Sequence, residues 1–433
     1  MSELVPEGWA SKTSGQLFDF LNGKAFYSDG YSDDGYRVID LLNIDLSGKF
    51  QLTIKDKFIS QDIYDKYPKA HLCKEDLIII MTDITPSLGL IGKTAVIDRS
   101  DKYVLNQRVG CLRPKDLNLS VSFMNYMFNS DVVRLQVVAN TLGTAQYYVN
   151  TPTLKNLDIP LPPFPEQQKI ATILTSVDKV IEKTEAQINK LQDLKKGMMQ
   201  ELLTKGVGTN GVPHTEFKDS PVGRIPKGWD VVSLEQICQP NAPITYGVLK
   251  PGGYVVGGKP LLQIKDLKAG TISPHGLHLI SDELDYEYRR SRVIAGDIVI
   301  SLVGTIGRIA MIPDWLDSPN IHRNLGRIRT VHNKYVFQFL RSEYALSQLG
   351  LTSAGSSQSA LNLSALRQML LPLPPIEEAS RISGILESLD KKLDFSQSKL
   401  DHLKDLKKAL MQDLLTGKVR VKINESEKEA VMG

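Results

Sequence analysis

The sequence predicts an α+β chain in which two mixed α/β globular domains are separated by two long antiparallel coiled-coil helices, the whole forming an internal pseudo-twofold repeat. Three observations predict it. LPPFPEQQKIATILTSVDKV, from Leu161, returns as LPPIEEASRISGILESLDKK from Leu373, and 22 of 48 positions are identical without a gap between 160–207 and 372–419. Each copy continues as a long heptad-spaced segment, and each is preceded by about 150 residues of short Val, Ile, Leu and Tyr runs broken by Gly, Asp, Asn and Pro. An offset of 212 residues is far longer than the roughly 20–50 residues of a solenoid unit. The duplicated unit is therefore a domain plus its helix.

The first domain takes residues 1–158 and the second 224–370. VPEGW (Val5 to Trp9) opens one and IPKGW (Ile225 to Trp229) the other. EDLIIIM (Glu75 to Met81) and GDIVISL (Gly296 to Leu302) each read as a short β-run after an acidic turn. VSFMNYMFNSDVVRLQVV reads as helix, and the motif Gly143-Thr144-Ala145-Gln146 falls opposite Gly355-Ser356-Ser357-Gln358. A proline gate, PLPP, then stops the preceding element and fixes the entry to the long helix.

The helical segments occupy 159–207 and 371–420. The first seam runs Ile170, Leu174, Val177, Ile181, Thr184, Ile188, Leu191, Lys195, Met198, Leu202, and the second Ile382, Leu386, Leu389, Leu393, Ser396, Leu400, Leu403, Lys407, Leu410, Leu414. Both break at the same places, with a hydroxyl at the fifth position and Lys at the eighth. A seam of period 3.5 needs a partner helix of the same period, and the twin supplies it. Helices of roughly 35–40 residues reach roughly 55–60 Å, long enough to act as a ruler. Residues 208–223 read as a connector, and 421–433 as a flexible tail.

Composition narrows the classes. Hydrophobic content of 42%, charged content of 23% and a net charge of +3 fit a soluble, mildly basic protein and permit a nucleic-acid partner without requiring one. Three scattered cysteines, Cys73, Cys111 and Cys238, suit a reducing compartment with neither disulfide framework nor zinc site. MSELVPEGWASK lacks a secretory leader pattern, and no apolar run approaches a membrane span, so the expectation is a cytoplasmic protein with no membrane partner.

Three tempting motifs fail on their chemistry. Gly92-Lys93-Thr94 sits in the GK[ST] position of a phosphate loop, but residue 87 is Ser where glycine is required, and the following AVIDRSDKYVL reads as strand. The second copy, Gly304-Thr305-Ile306-Gly307-Arg308, loses both Lys and hydroxyl. LPPF resembles an amino-methyltransferase motif, yet Leu161 and Leu373 cannot accept a hydrogen bond from an amino group. Asp266-Leu267-Lys268 matches a metal-dependent nuclease pattern over only three residues, and the equivalent LLNIDLSGK of the first half has no Lys at that spacing, while His275 and His278 lack acidic or cysteine companions at metal-ligand spacing.

The ordered ensemble IPKGW, variable domain, G-[TS]-x-Q, PLPP, and a heptad helix ending DLKK-x-x-MQ-x-LLT, present twice, resembles the specificity subunits of type I restriction–modification systems. The resemblance covers nearly the whole chain. It implies two target-recognition domains, each reading half of a bipartite asymmetric site in double-stranded DNA, with helices that set the spacer and dock two methyltransferase subunits. It implies a non-catalytic chain without cofactors of its own. S-adenosylmethionine, ATP and Mg are expected on partner subunits, with two restriction subunits as an optional addition. The segment ahead of the first domain is short, which leaves the assembly subtype open. The competing readings are a protein-interaction scaffold and a recognition fragment of a single-chain restriction–methylation enzyme.

Candidate DNA-contacting residues are the polar and basic residues of the loops. In the first domain these are Lys24, Tyr27, Arg37, Thr85, Ser87, Lys93, Gln107, Arg108, Thr144 and Gln146. In the second they are Tyr246, Lys250, Lys259, Thr305, Arg308, His322, Arg323, Asn324, Ser356 and Gln358. Arg108 and Arg323 are candidate guanine readers, and the G-[TS]-x-Q stretches suit phosphate or frame contacts. The helix lysines (Lys179, Lys183, Lys190, Lys196, Lys391, Lys392, Lys404, Lys408) suit either a solubilising flank or contacts to partners and spacer phosphates.

Overall fold

The computed structural model describes residues 5–27, 30–99, 102–144, 146–208, 212–268, 270–349 and 360–423. The chain divides into two compact units, Met1–Glu185 with Ser398–Gly433, and Ala186–Gln397. In the first, a four-stranded antiparallel sheet runs in the order Phe18–Asn22, Val109–Pro114, Leu77–Ile80, Thr94–Val96. A second four-stranded sheet contains Lys57–Ile59, Tyr36–Ile39, Tyr103–Leu105 and His71–Leu72. The unbroken run Leu77–Ile80 lacks alternation because both of its faces are covered. Leu77 and Ile79 enter the core under the helices Val121–Asn129 and Asp131–Ala139, whereas Ile78 and Ile80 enter the core shared with the second sheet.

The second unit repeats this plan. Thr245–Tyr246, Leu325–Ile328, Ile298–Ser301 and Ile309–Met311 form the corresponding sheet in the same order. Ile298 and Ile300 again face one core and Val299 the other.

Two sequence expectations need correction. The proline gates stop the preceding element only at their Pro-Pro pair, because Asp158–Leu161 pairs antiparallel with Ala10–Thr13, and Leu370–Leu373 with Asp230–Ser233, so that each strand runs through the first proline of its gate. In a two-stranded ribbon each strand keeps one unpaired edge, where a residue without an N–H is tolerated. The helices accordingly start later than 159 and 371 and end earlier than 207 and 420, spanning Phe164–Lys205 and Ile376–Leu415. The connector is also built in. Phe217–Lys218 pairs with Ile225–Pro226, and Val222 is buried in the core of the second unit.

Within each unit the two long helices run antiparallel. In the first, Ile170, Leu174, Ile181 and Leu400 are buried and Val177 and Leu403 half-buried. In the second, Ile188, Ile382, Leu386 and Leu389 are buried and Leu191 and Leu393 half-buried. The lysines that interrupt the seams are answered across it. Lys407 meets Asp178 at 2.7 Å in the first unit, and Lys195 pairs with Asp390 in the second. The domain joins each pair. Tyr126 donates to Asp178 at 2.7 Å, while Gln338 and Arg341 donate to Asp390 at 2.9 and 2.8 Å. Removing one partner of such a pair leaves a charge stranded away from water.

Candidate nucleic-acid interface

Strand direction gathers candidates that are far apart in sequence. In the first unit Val109 pairs with Ile80 and Gly110 with Asn22. The ends of Phe18–Asn22 and Leu77–Ile80 therefore meet the start of Val109–Pro114 at one end of the sheet. The chain enters and leaves that end through 23–27, 81–93 and 106–108. These segments carry Lys24, Tyr27, Thr85, Ser87, Lys93, Gln107 and Arg108. Tyr147–Tyr148 pairs with Thr82–Asp83, which brings Gln146, and Thr144 ahead of it, to the same loop.

The second unit does the same with different side chains. Ser301 pairs with Leu325 and Tyr246 with Gly326. Tyr246, Lys250, Thr305, Arg308, Arg323 and Asn324 thus lie on segments leaving one sheet end. Ser356 and Gln358 lie outside the described residues.

The turns at these ends are fixed by main-chain bonds. Lys24 N–H donates to Leu105 at 2.9 Å, and Gln107 N–H donates to Lys24 at 3.1 Å. Val248 N–H donates to Ile321 at 2.7 Å, and Arg323 N–H to Val248 at 2.9 Å. The approach is so close that a Cβ on Gly23 would lie 1.9 Å from the Asn106 carbonyl oxygen, and one on Gly247 1.6 Å from that of Ile321. Only glycine fits at either crossing.

The side chains on this frame are available to different degrees. Tyr27 is 76% exposed and Tyr246 47%. The Lys24 ammonium sits 5.0 Å from the Tyr67 ring centre. Burial, with Arg323 and His278 nearby, pushes the His322 imidazole below its usual value and so favours the neutral ring. Its Nδ1 accepts from the Asn324 N–H at 3.3 Å, which places the ring proton on Nε2 as a donor.

Three candidates sit elsewhere or are engaged. Arg37 pairs with the buried carboxylate of Asp56 and lies 4.9 Å from the Phe58 ring centre. Burial opposes ionisation of Asp56, but hydrogen bonds from Thr53, Arg37 and Asn43 outweigh it and hold the carboxyl below its usual range. Lys93 is half-buried, and burial, with Arg134 and Lys407 nearby, pushes its ammonium down to about 8. Lys259 opens Lys259–Leu262, the strand whose opposite end meets the His322 turn through a His322 N–H bond to Leu262.

Sequence reasoning missed the groups that seat each domain on its helix. Glu166, in the first turn of its helix, accepts from Trp9 Nε1 at 3.1 Å and from Arg420 at 2.7 and 2.8 Å. Glu378 accepts from Trp229 Nε1 at 2.9 Å, from the Val207 and Gly208 N–H groups at 3.0 and 2.9 Å, and contacts His214 Nε2 at 2.9 Å. The available signal was a Trp in each opening motif and a Glu at the same place in each helix copy. Among the described residues, no group of three or more His, Cys, Asp or Glu is placed to hold a metal ion, and no helix is long and apolar enough to cross a membrane.

Residues 6–193 and 226–405 match the family described as the type I restriction modification DNA specificity domain. The type I restriction enzyme MjaVIII specificity subunit of Methanocaldococcus jannaschii is 27% identical over 428 residues, covering 96% of this chain and 94% of that protein. The EcoBI specificity subunit of Escherichia coli is 28% identical over 404 residues, covering 89% and 80%. A crystal structure of the S subunit of a type I restriction–modification system from M. genitalium shares the fold, with a TM-score of 0.58 over 98% of this chain and 99% of that one at 16% identity.

Proposed function

The chain belongs to the type I restriction–modification DNA specificity family, and on that premise we propose that each domain reads one half of a bipartite, asymmetric DNA site while the paired helices fix the spacer between the halves. The helices also dock two methyltransferase subunits, which bring S-adenosylmethionine. Restriction subunits, where present, bring ATP and Mg. This chain chooses the site and leaves the chemistry to its partners.

One observation carries the reading. The two units repeat the same main-chain crossing, with glycine at 23 and 247, but hang different side chains on it: Gln107 and Arg108 in one, His322, Arg323 and Asn324 in the other. A fixed frame with variable hydrogen-bonding groups suits a reader of two unlike sequences. Arg pairs bidentately with guanine, Gln and Asn with adenine, and a neutral His donates to a base acceptor. Lys24, Thr85, Ser87, Lys250 and Thr305 flank these turns and suit phosphate contacts.

Co-expression with the methyltransferase subunit encoded with this chain, followed by genome-wide mapping of methylated adenines, tests the reading. The expected result is one bipartite motif with a fixed gap. An uninterrupted motif, or no new methylation from a soluble complex, would overturn it.

A further inference from the structure

The first unit carries a loop that the second lacks. Between Met81 and Gly92 lie ten residues, whereas between the equivalent Leu302 and Gly307 lie four. The longer loop is stapled by two charged side chains of opposite sign. Asp83, 3% exposed, accepts from the Thr85 N–H at 2.8 Å, the Thr85 hydroxyl at 2.7 Å, and the N–H groups of Leu90 and Ile91 at 2.8 and 3.2 Å. Burial disfavours its charge, but these hydrogen bonds outweigh burial and hold the carboxyl below its usual range, so it is ionised at neutral pH. From the helix Asp131–Ala139, Arg134 donates to the carbonyls of Ile91 and Leu88 at 2.9 and 3.0 Å. Leu88 adopts φ +51°, a left-handed conformation that an unbraced leucine avoids.

The staple leaves a firm tip in water. Ile84 is 75% exposed, and Thr85, Pro86 and Ser87 are exposed beside it. Exposure alone distinguishes little, since Ile54 is fully exposed as well. Ile84 differs in standing between the hydrogen-bonded Asp83 and Thr85, at the sheet end where Lys24, Gln107 and Arg108 gather. Isoleucine and proline are among the side chains that proteins insert between base steps to unstack and kink a duplex. Cations alongside hold the phosphates close enough for such insertion.

We propose that this finger drives Ile84, backed by Pro86, as a wedge into one base step of the half-site read by the first domain, so that the DNA is distorted in that half and not in the other. The inference rests on the DNA-recognition reading above. It also assigns part of the first domain's selectivity to the deformability of a step, because flexible pyrimidine–purine steps yield most easily to a wedge.

The test uses the complex of the full chain with its methyltransferase subunit, bound to duplexes carrying 2-aminopurine at one position at a time across both mapped half-sites. The target adenines are left out, because methylation requires them to leave the stack. The expected result is a several-fold fluorescence rise at one step of the first half-site, lost in Ile84→Ser and kept in Ile54→Ser. Sequence-selective binding without a rise, or a rise that survives Ile84→Ser, would overturn the wedge and leave the recognition reading standing. Absence of sequence-selective binding would overturn both.

Discussion

The two halves seat their long helices with the same Trp–Glu pair but neutralise the glutamate differently. At Glu166 the counter-charge is Arg420, a residue beyond the end of the second long helix. At Glu378 the carboxylate is held by two main-chain N–H groups and by His214, all from the segment just after the first long helix. The duplicated frame has kept the anion and its indole donor, and let the remaining donors diverge. Each half is completed by chain that follows the opposite copy of the helix, so neither a domain nor its helix alone makes a finished unit.

Substitutions can break this comparison, and the largest effect is expected at the helix-crossing acids. Asp390 serves Lys195, Gln338 and Arg341, whereas Asp178 serves Lys407 and Tyr126. Asp390→Ala is expected to cost about 3–4 kcal/mol and Asp178→Ala about 2–3 kcal/mol, read as shifts in the chemical-denaturation midpoint. Equal losses would mean that the additional donor on Asp390 contributes nothing.

Next comes the clamp. Arg420 is 44% exposed, so solvent screening reduces its ion pair with Glu166, and Arg420→Ala should cost only about 1 kcal/mol. In the second unit the equivalent sensitivity is to acid. Burial opposes the charge of Glu378, but Trp229, His214 and the two N–H groups hold its carboxyl below the usual range. Its contribution is therefore complete above the unfolded value of about 4.3 and is lost as pH falls through the lower folded value. Glu378→Gln should flatten the acid limb of a thermal-stability profile, and an unchanged limb would remove Glu378 as its source.

The smallest effect sharpens a contrast between Lys93 and Arg308, which follow equivalent glycines. Arg308 is exposed, whereas Lys93 is half-buried with its ammonium pushed down to about 8. Between that value and the unfolded value of about 10.4 the unfolded chain binds the extra proton, so stability rises with pH across that window. Lys93→Met should raise Tm at pH 7 by about 2 °C and abolish the rise. The mutant's melting profile over pH 7–10 checks both.

Much of this architecture was legible in the residues. The seams from Ile170 and from Ile382 follow from heptad period, and the strands Leu77–Ile80 and Ile298–Ser301 from short apolar runs after acidic turns. The Asp–Lys pairs were not, because an acid on one helix finds its lysine only once the antiparallel register is known. The PLPP motif predicts a stop because proline lacks a donor, yet a ribbon edge needs none, so the strands pass Pro160 and Pro372 and end only at the Pro-Pro pairs that follow. The convergence of Lys24, Thr85 and Arg108 depends on strand order, which no local pattern encodes. Arg37 shows the converse limit of local pattern. A basic residue can lie within a strand, Tyr36–Ile39, and pair with a buried carboxylate such as Asp56.

The glycine crossings at 23 and 247 also bear on how such a protein changes over generations. The turns beside them are held by main-chain bonds, so exchanging Gln107, Arg108, His322, Arg323 or Asn324 leaves the scaffold's own hydrogen bonds largely in place. Loss of either glycine, by contrast, drives a Cβ into a carbonyl. Heritable variation is thereby channelled: exchange at the turns leaves the frame standing and, on the proposed reading, changes which bases are preferred, whereas exchange at either glycine breaks the frame itself.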